Sequence, residues 1–470
     1  MRAIDFGVNG WIAKYEEGVD ESHMASLGAA LGQVWSSSHK GAMCYVGFDG
    51  RRHSRAFAQV LASSLAGAGL VVAVSRGACP APALGLVVAR DERAVGGVMV
   101  TGSDAPNGYG GLIAHGSDGG SVSPGFAQAV DALSSSAPVP GPAPYATVDF
   151  LSGYGAALGS RLAPTLEGRP LRLVVDPLYG VAAQPLVDLL GARGMDVTVI
   201  HGRPRADFAG KTPQACEPWA GDCGDAVRSL GADMGIVLDG DGMRSAVIDE
   251  RGRILRPHQS LPLLIHHLTV NRGQRGRVVR TMPCSAGVRL EAERQGLEVT
   301  TVPVGFERLH DEVGEGDVLL ACDEFGGVCL PAHLAERDGS LAALLLVEMV
   351  ATDRKGRSLG QLRAAMDHGI GRLDYVMCEI CLETPKLMGF ANALPGINPR
   401  TIDRRLAIDV SHTDGLKVIY DDQSWFMVRP SRRRPLVRVY AEARTLERRD
   451  ELLGEAVAFV RGGYKKELGA

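Results

Sequence analysis

The chain has 470 residues, enough at roughly 100–200 residues per domain for three or four domains, so core size sets no limit on its stability. Hydrophobic residues make up 45% and charged residues 22%, which excludes wholesale disorder. With 50 Lys and Arg against 54 Asp and Glu, the formal net charge of −4 excludes a general binder of nucleic acid or of anionic membrane, which needs a basic surplus.

In chain order, the start MRAIDFGVNGWIAKYEEG carries no apolar signal core. Residues 44–48 then read as a strand and 54–68 as a helix with Phe57, Val60, Leu61 and Leu65 on one face. Residues 70–74 and 97–101 read as further strands, which is βαβ logic and predicts a largely parallel sheet. A Ser/Pro/Gly tract at 134–144 is the clearest linker. The pattern restarts with a strand at 171–175, a helix at 182–192 and strands at 196–200 and 234–238. A third round has strands at 277–281, 299–302 and 318–321 and helices at 288–295 and 340–351. The last hundred residues differ, with antiparallel strands at 416–420, 424–428 and 437–440 and a closing helix at 446–461. The expected fold is α/β, three similar mixed α/β domains in series (1–140, 146–250 and 251–366) followed by a C-terminal α+β domain (367–470).

No run of 18 apolar residues exists, since Glu348 follows the best candidate, so no membrane span is expected. Nine scattered cysteines fit a reducing compartment, and a cytoplasmic protein is expected. Cys378 and Cys381 form a lone CxxC, which without a second pair reads as structural. Gly210-Lys-Thr212 imitates the end of a P-loop, but Arg205 stands where its first glycine belongs.

Four loops could carry chemistry. TGSDAPNGYGG at 101–111 exposes Ser103 just past a buried strand, or is a plain turn. DGDGMR at 239–244 offers Asp239 and Asp241 at i and i+2, a spacing that converges on a hard cation or makes an Asp-Gly turn. ACDEFGG at 321–327 places Asp323 and Glu324 after a strand, to accept sugar hydroxyls or to cap a helix. RPSRRRP at 429–435, with Arg438 beyond, suits a phosphate or is a solvated basic surface.

The order of these loops resembles the α-D-phosphohexomutase superfamily, which comprises the phosphomannomutase/phosphoglucomutase and phosphoglucosamine mutase group. The resemblance runs through Phe6-Gly-Val-Asn-Gly-Trp11, Gly47-Phe-Asp-Gly-Arg51, Pro80-Ala-Pro-Ala-Leu84, Gly97-Val-Met-Val-Thr-Gly-Ser103, the Asp239 loop, Val304-Gly-Phe306, Glu336-Arg-Asp-Gly339, Asp414-Gly-Leu-Lys417 and Arg429-Pro-Ser431. It implies four domains around a central cleft and transfer of a phosphoryl group between a phosphoserine and a sugar phosphate. On that resemblance Ser103 and Arg244 are catalytic, Asp239 and Asp241 hold Mg²⁺, Asp323 and Glu324 meet the sugar, and Arg429, Ser431 and Arg438 grip a phosphate.

Several positions depart from the family pattern. TASHNP has Asp104 and Ala105 in place of its histidine and asparagine, and family cations become Ile12, Phe48, Ile113 and Glu307. Met243, a soft neutral thioether, replaces the third metal-binding aspartate. The GExSG sugar loop reads Asp323-Glu-Phe-Gly326, with Phe325 in it and no serine. Arg433 and Arg434 replace the Thr and Glu of RPSGTEP. The expectation is a phosphohexomutase-like protein with little or no mutase activity, binding a phosphosugar or another small anion or acting on a protein partner. The alternative is an active mutase with unusual substrate or metal dependence.

Overall fold

The computed structural model describes residues 4–162, 169–398, 401–402, 405–431 and 434–464. Its first three sheets share one plan. In the first, Met43–Phe48 lies between Val71–Ser75 and Ala94–Val100, all parallel, and Tyr109–His115 and Trp11–Lys14 add antiparallel beyond Ala94–Val100. In the second, Arg172–Asp176 lies between Asp196–Val199 and Met234–Leu238, with Ser245–Ile248 and Ile254–Leu255 antiparallel outside. In the third, Arg277–Thr281 lies between Val299–Val302 and Val318–Cys322, with Val328–Leu330 and Leu334–Arg337 outside.

The three sheets are therefore mixed, not largely parallel as the sequence pattern suggests. Central parallel strands such as Met234–Leu238 are apolar runs buried on both faces, outer ones such as Asp196–Val199 are partly exposed, and a reversing antiparallel strand follows each third parallel strand. The connecting turn is the same one in each domain. It leaves the C-terminal end of the third parallel strand and returns antiparallel, and it carries Ser103 in the first domain, Asp239–Arg244 in the second and Asp323–Gly327 in the third. Open α/β sheets bind ligands beyond the carboxyl ends of their strands, so this placement is chemically apt.

Two boundaries differ from the sequence reading. Tyr109 to Gly111 are not loop but the start of Tyr109–His115, a glycine-rich strand. Ala146–Val148, beyond the Ser/Pro/Gly tract, pairs with Val71–Ser75 as an edge strand of the first sheet. The sequence reading also omits the helices Glu21–Ser38, Ala81–Arg90 and Gly221–Leu230.

The first three domains are not independent bodies. One continuous core runs from Leu84 in the first domain through Leu186 in the second to Leu344 in the third. Its axis is Gly339–Ala351, apolar around its whole circumference and buried along its length. The fourth domain is a six-stranded antiparallel sheet from Asp374–Cys381 to Thr401–Ile402, with its own core. Cys378 and Cys381 lie three apart on a strand and therefore on opposite faces, which agrees with a structural reading of the CxxC. No helix among the described residues is long and apolar enough to cross a membrane.

The buried helix starts at Asp338, whose Oδ1 accepts from the Leu341 N–H and the Tyr154 hydroxyl, each at 2.9 Å, while His333 Nε2 lies 3.0 Å from Oδ2. One carboxylate thus caps the central helix and ties the second domain to the third. Asp338→Ala should cost about 2–4 kcal/mol, the sum of a lost N-cap and unmet buried donors, while Tyr154→Phe should cost about 1 kcal/mol. Urea denaturation midpoints of the two variants check that order.

Candidate functional site

Ser103 sits in the left-handed region at φ +50°, a conformation unusual for a residue other than glycine. Its N–H donates to Thr101 Oγ1 at 2.7 Å. Thr101 Oγ1 in turn lies 2.8 Å from Asp49 Oδ2 and 3.3 Å from Asp241 Oδ2. The loop is held open by Arg51, whose Nη2 donates to the carbonyls of Ser103 and Ala105 at 2.6 Å and whose Nη1 reaches those of Pro106 and Tyr109. Asp49 holds Arg51 at 3.2 Å, and the Phe208 ring of the second domain covers the guanidinium at 4.7 Å. Sequence reasoning named Ser103 but not Asp49, Arg51 or Thr101. The GFDGR string was their signal, but a family match alone does not say that an arginine will bind backbone.

The aspartate loop is pinned from three sides. Gly240 N–H donates to Pro213 O at 3.1 Å, Ala81 N–H of the first domain to Asp241 O at 2.8 Å, and Gly339 N–H of the third to Gly242 O at 3.0 Å. Gly242 has φ +78°, and a Cβ there would come within 2.9 Å of Pro80 and Ala182, so only glycine fits. Asp239 and Asp241 are fully buried, and both Asp239 oxygens and Asp241 Oδ1 have no hydrogen-bond partner. Burial, then Asp241, drives the Asp239 carboxyl well above the usual range, and burial, then Asp49 and Asp104, pushes Asp241 up to about 6. Such oxygens fit a cation or a shared proton. Met243, the residue in the third ligand position, is buried within the main hydrophobic core. Among the described residues no group of three or more His, Cys, Asp or Glu side chains stands together as a metal cluster. The donor set thus suits a divalent cation with two carboxylates, short of three.

Arg244 joins the three domains. Its Nη1 is 3.4 Å from Asp104 Oδ2 of the first domain and its Nη2 is 3.3 Å from Asp323 Oδ2 of the third. Burial works against its charge, but Asp323, Asp104, Asp239 and Asp241 together raise its pKa. Asp104, the departure beside Ser103, therefore turns its carboxylate to a guanidinium. Asp323 is engaged by its own loop as well, Oδ1 accepting from the Phe325 and Gly327 N–H groups at 2.9 and 2.8 Å. Although burial alone would raise it, Arg244, Arg337 and these N–H groups hold its carboxyl below the usual range. Glu324 Oε2 accepts from Thr281 Oγ1 at 2.8 Å, and Tyr440 OH reaches Oε1 at 3.4 Å.

In the fourth domain Arg429 Nε donates to Asp414 Oδ2 at 2.6 Å, and the same oxygen accepts from Val304 N–H of the third domain. Arg434 and Arg438 share Glu379 Oε1 at 2.9 and 3.0 Å. Ser431 Oγ accepts from the Arg434 N–H, which shapes the turn. Arg432 and Arg433 lie outside the described residues. Lys417 is buried against the Trp425 ring at 3.8 Å and donates to Met282 O of the third domain at 2.8 Å, and burial lowers its pKa to about 7. Among the lost family cations, Phe48 belongs to the first domain's core, and Glu307 is buried with one oxygen unpartnered.

The structure thus brings Ser103, Asp239, Asp241, Arg244, Asp323 and Glu324 to one cleft where three equivalent turns converge, with Arg438 reaching its edge through the Phe325 ring, 5.1 Å from the guanidinium. Residues 3–137, 152–252 and 256–368 match the models of phosphoglucomutase/phosphomannomutase alpha/beta/alpha domains I, II and III respectively. The chain is 28% identical over 97% of both chains to the probable phosphoglucosamine mutase of Methanopyrus kandleri. It is 30% identical over 67% of its length and 68% of the relative's to the phosphoglucosamine mutase of Prochlorococcus marinus MIT 9313. The crystal structure titled "putative phosphomannomutase" from Thermus thermophilus superposes with a TM-score of 0.85 at 30% identity, covering 98% of this chain and 99% of that one. Fold, repeated domains and full-length relatives together show that this chain belongs to the phosphoglucomutase/phosphomannomutase family of α-D-phosphohexomutases.

Proposed function

We propose that the chain binds a phosphorylated hexose in its central cleft and transfers phosphoryl groups through Ser103 slowly or not at all. One observation carries this reading: the arginines of the cleft already have acidic partners. Arg244 is held by Asp104 and Asp323, Arg438 by Glu379, and Arg429 by Asp414. A mutase must hold two phosphates at once, so a ligand here gains only what it wins from those carboxylates. Such a protein acts as a phosphosugar binder or regulator, or as a partner for another protein, more than as a catalyst.

The transfer chemistry that would remain is simple. A phosphoryl group carried on Ser103 would pass to a free hydroxyl of the bound sugar phosphate, the P–Oγ bond breaking as the new P–O bond forms and the hydroxyl proton ending on the released Oγ. After the sugar turns, the Ser103 hydroxyl would attack its other phosphate, and that sugar oxygen would leave with the electron pair of the broken P–O bond and take up the serine proton. Arg244 steadies charge on the phosphoryl oxygens, and Arg51 keeps the loop shaped for in-line approach. A divalent cation bound at Asp239 and Asp241 would offset phosphoryl charge. The second reading, a working mutase, is favoured by Ser103's left-handed backbone and by three aspartate oxygens without a hydrogen-bond partner among the described residues.

Turnover of glucose 1-phosphate or mannose 1-phosphate, with a sugar 1,6-bisphosphate present, should fall far below the ordinary enzyme range of about 1–10³ s⁻¹. A coupled assay reads this, and turnover within that range that disappears in Ser103→Ala would establish the second reading. Intact mass after incubation with the bisphosphate shows whether Ser103 takes a phosphoryl group.

Magnesium should bind weakly, with no calorimetric site in the micromolar range. Its affinity should strengthen as pH rises through about 6 and above, because a bound cation needs both Asp239 and Asp241 ionised and burial raises both carboxyls. Met243→Asp should lower stability in chelator, by placing a carboxylate in the core, and recover it with Mg²⁺.

Phosphosugar affinity should fall several-fold and become less salt-sensitive in Arg438→Ala, while Ser103→Ala should change it little. Titration at two salt concentrations checks both, and equal losses would place the ligand's phosphate at the serine.

A further inference from the structure

In the third-domain loop the carboxylates and most N–H groups already have partners within the protein. Asp323 N–H donates to Gly327 O at 3.0 Å and Gly326 N–H to Asp323 O at 3.2 Å. The N–H groups of Phe325 and Gly327 both point into Asp323 Oδ1. Asp323 Oδ2 faces Arg244, and the Glu324 oxygens face Thr281 and Tyr440. A hydroxyl cannot simply be restored at the next position, because Gly326 has φ +85° and a Cβ there would stand 3.2 Å from Pro257 Cγ.

What the loop does present is the half-buried Phe325 ring. It lies between the guanidiniums of Arg244, 5.9 Å from the ring centroid, and Arg438, at 5.1 Å. These are the arginines of the second and fourth domains placed at the cleft, so the ring stands where the sugar of a phosphosugar would lie. A sugar hydroxyl pressed against it loses water and gains no partner, whereas a C–H face gains aromatic contact.

We propose that Phe325 is a specificity-determining residue that selects deoxyhexose phosphates, sugars lacking the ring hydroxyl that would meet this loop, over the parent hexose phosphates. The proposal rests on the reading that the cleft binds a phosphosugar. Discrimination by an apolar wall is modest, about 10–200-fold, because it works by the poor fit of one group.

Calorimetric titration of the full chain with glucose 6-phosphate, its 2-, 3- and 4-deoxy analogues and inorganic phosphate tests it. In wild type, at least one deoxy analogue should bind more tightly than the parent sugar by about tenfold or more, and parent-like or weaker binding by all three overturns the inference. In Phe325→Ser that analogue should fall behind the parent by about tenfold, with inorganic phosphate unchanged. Phe325→Thr, run in parallel, should do the same and serves if the serine variant does not fold. Phe325→Leu, which keeps an apolar wall, should retain the wild-type ranking. An unchanged ranking in the serine and threonine variants, or a leucine variant that behaves like serine, overturns this inference while leaving phosphosugar binding intact. A wild type that binds none of the sugars overturns the underlying reading as well.

Discussion

A guanidinium set where three domains meet is the constraint on which the cleft depends. Arg244 leaves the second domain's turn, and its two ends meet a carboxylate of the first domain and one of the third. Arg244 is only partly exposed and Asp104, Asp323, Asp239 and Asp241 all favour its charge, so the guanidinium draws the first- and third-domain turns toward it. That fixes the distance between the serine turn and the sugar-side turn. It also explains how Asp104 can stand beside Ser103. At 4 Å and an effective dielectric of 20, a second negative group would be repelled by about 4 kcal/mol, but Asp104 faces a cation that offsets much of this.

The turns converge because the fold is used three times. Each domain ends its third parallel strand at the same point and reverses there, and one shared core holds the three reversals in register. The backbone of the middle turn is hydrogen-bonded to both neighbours, at Ala81 and Gly339. The position of Asp239 and Asp241 is therefore set by packing, whatever occupies the space between them. This separates two properties that family resemblance joins. The backbone of the middle turn is held by hydrogen bonds of its own, separate from the side chains that face the cleft.

Much of this was legible in the sequence. The apolar runs 234–238 and 318–321 marked strands because they are buried on both faces, and the four loops were found because glycine and acid follow such runs abruptly. The antiparallel partners were harder. Tyr109–His115 opens Tyr-Gly-Gly, which reads locally as turn, and only pairing with Ala94–Val100 makes it strand. Side-chain partnerships were least legible. Proximity in sequence offers Asp421 and Asp422 as partners for the arginines near 434, but Arg434 and Arg438 meet Glu379, and Asp422 faces Arg448. Glu379 lies some sixty residues away in sequence and becomes a neighbour only because Asp374–Cys381 pairs with Leu436–Ala443. Likewise nothing local says that Arg51 will bind four carbonyls.

The fourth domain differs from the others in how it is attached. It has its own core and meets the third through a small cluster of Met282, Trp425, Met427 and Tyr440, the buried Lys417, and the Asp414 bridge to Val304. Arg429 is tied to that same bridge, through the same Asp414 oxygen. A phosphate arriving at Arg429 competes with Asp414, and weakening that pair weakens a contact between the domains. At Arg438 the competition is with Glu379, which lies within the fourth domain and bridges to no other domain. Both arginines nevertheless touch the third domain, Arg429 through the Asp414 bridge to Val304 and Arg438 through the Phe325 ring. The two arginines occupy neighbouring strands, Trp425–Pro430 and Leu436–Ala443, directly opposite each other. The side chains on this pair of strands are thus part of the attachment of the fourth domain to the third, and a change of partner at either arginine acts on that attachment.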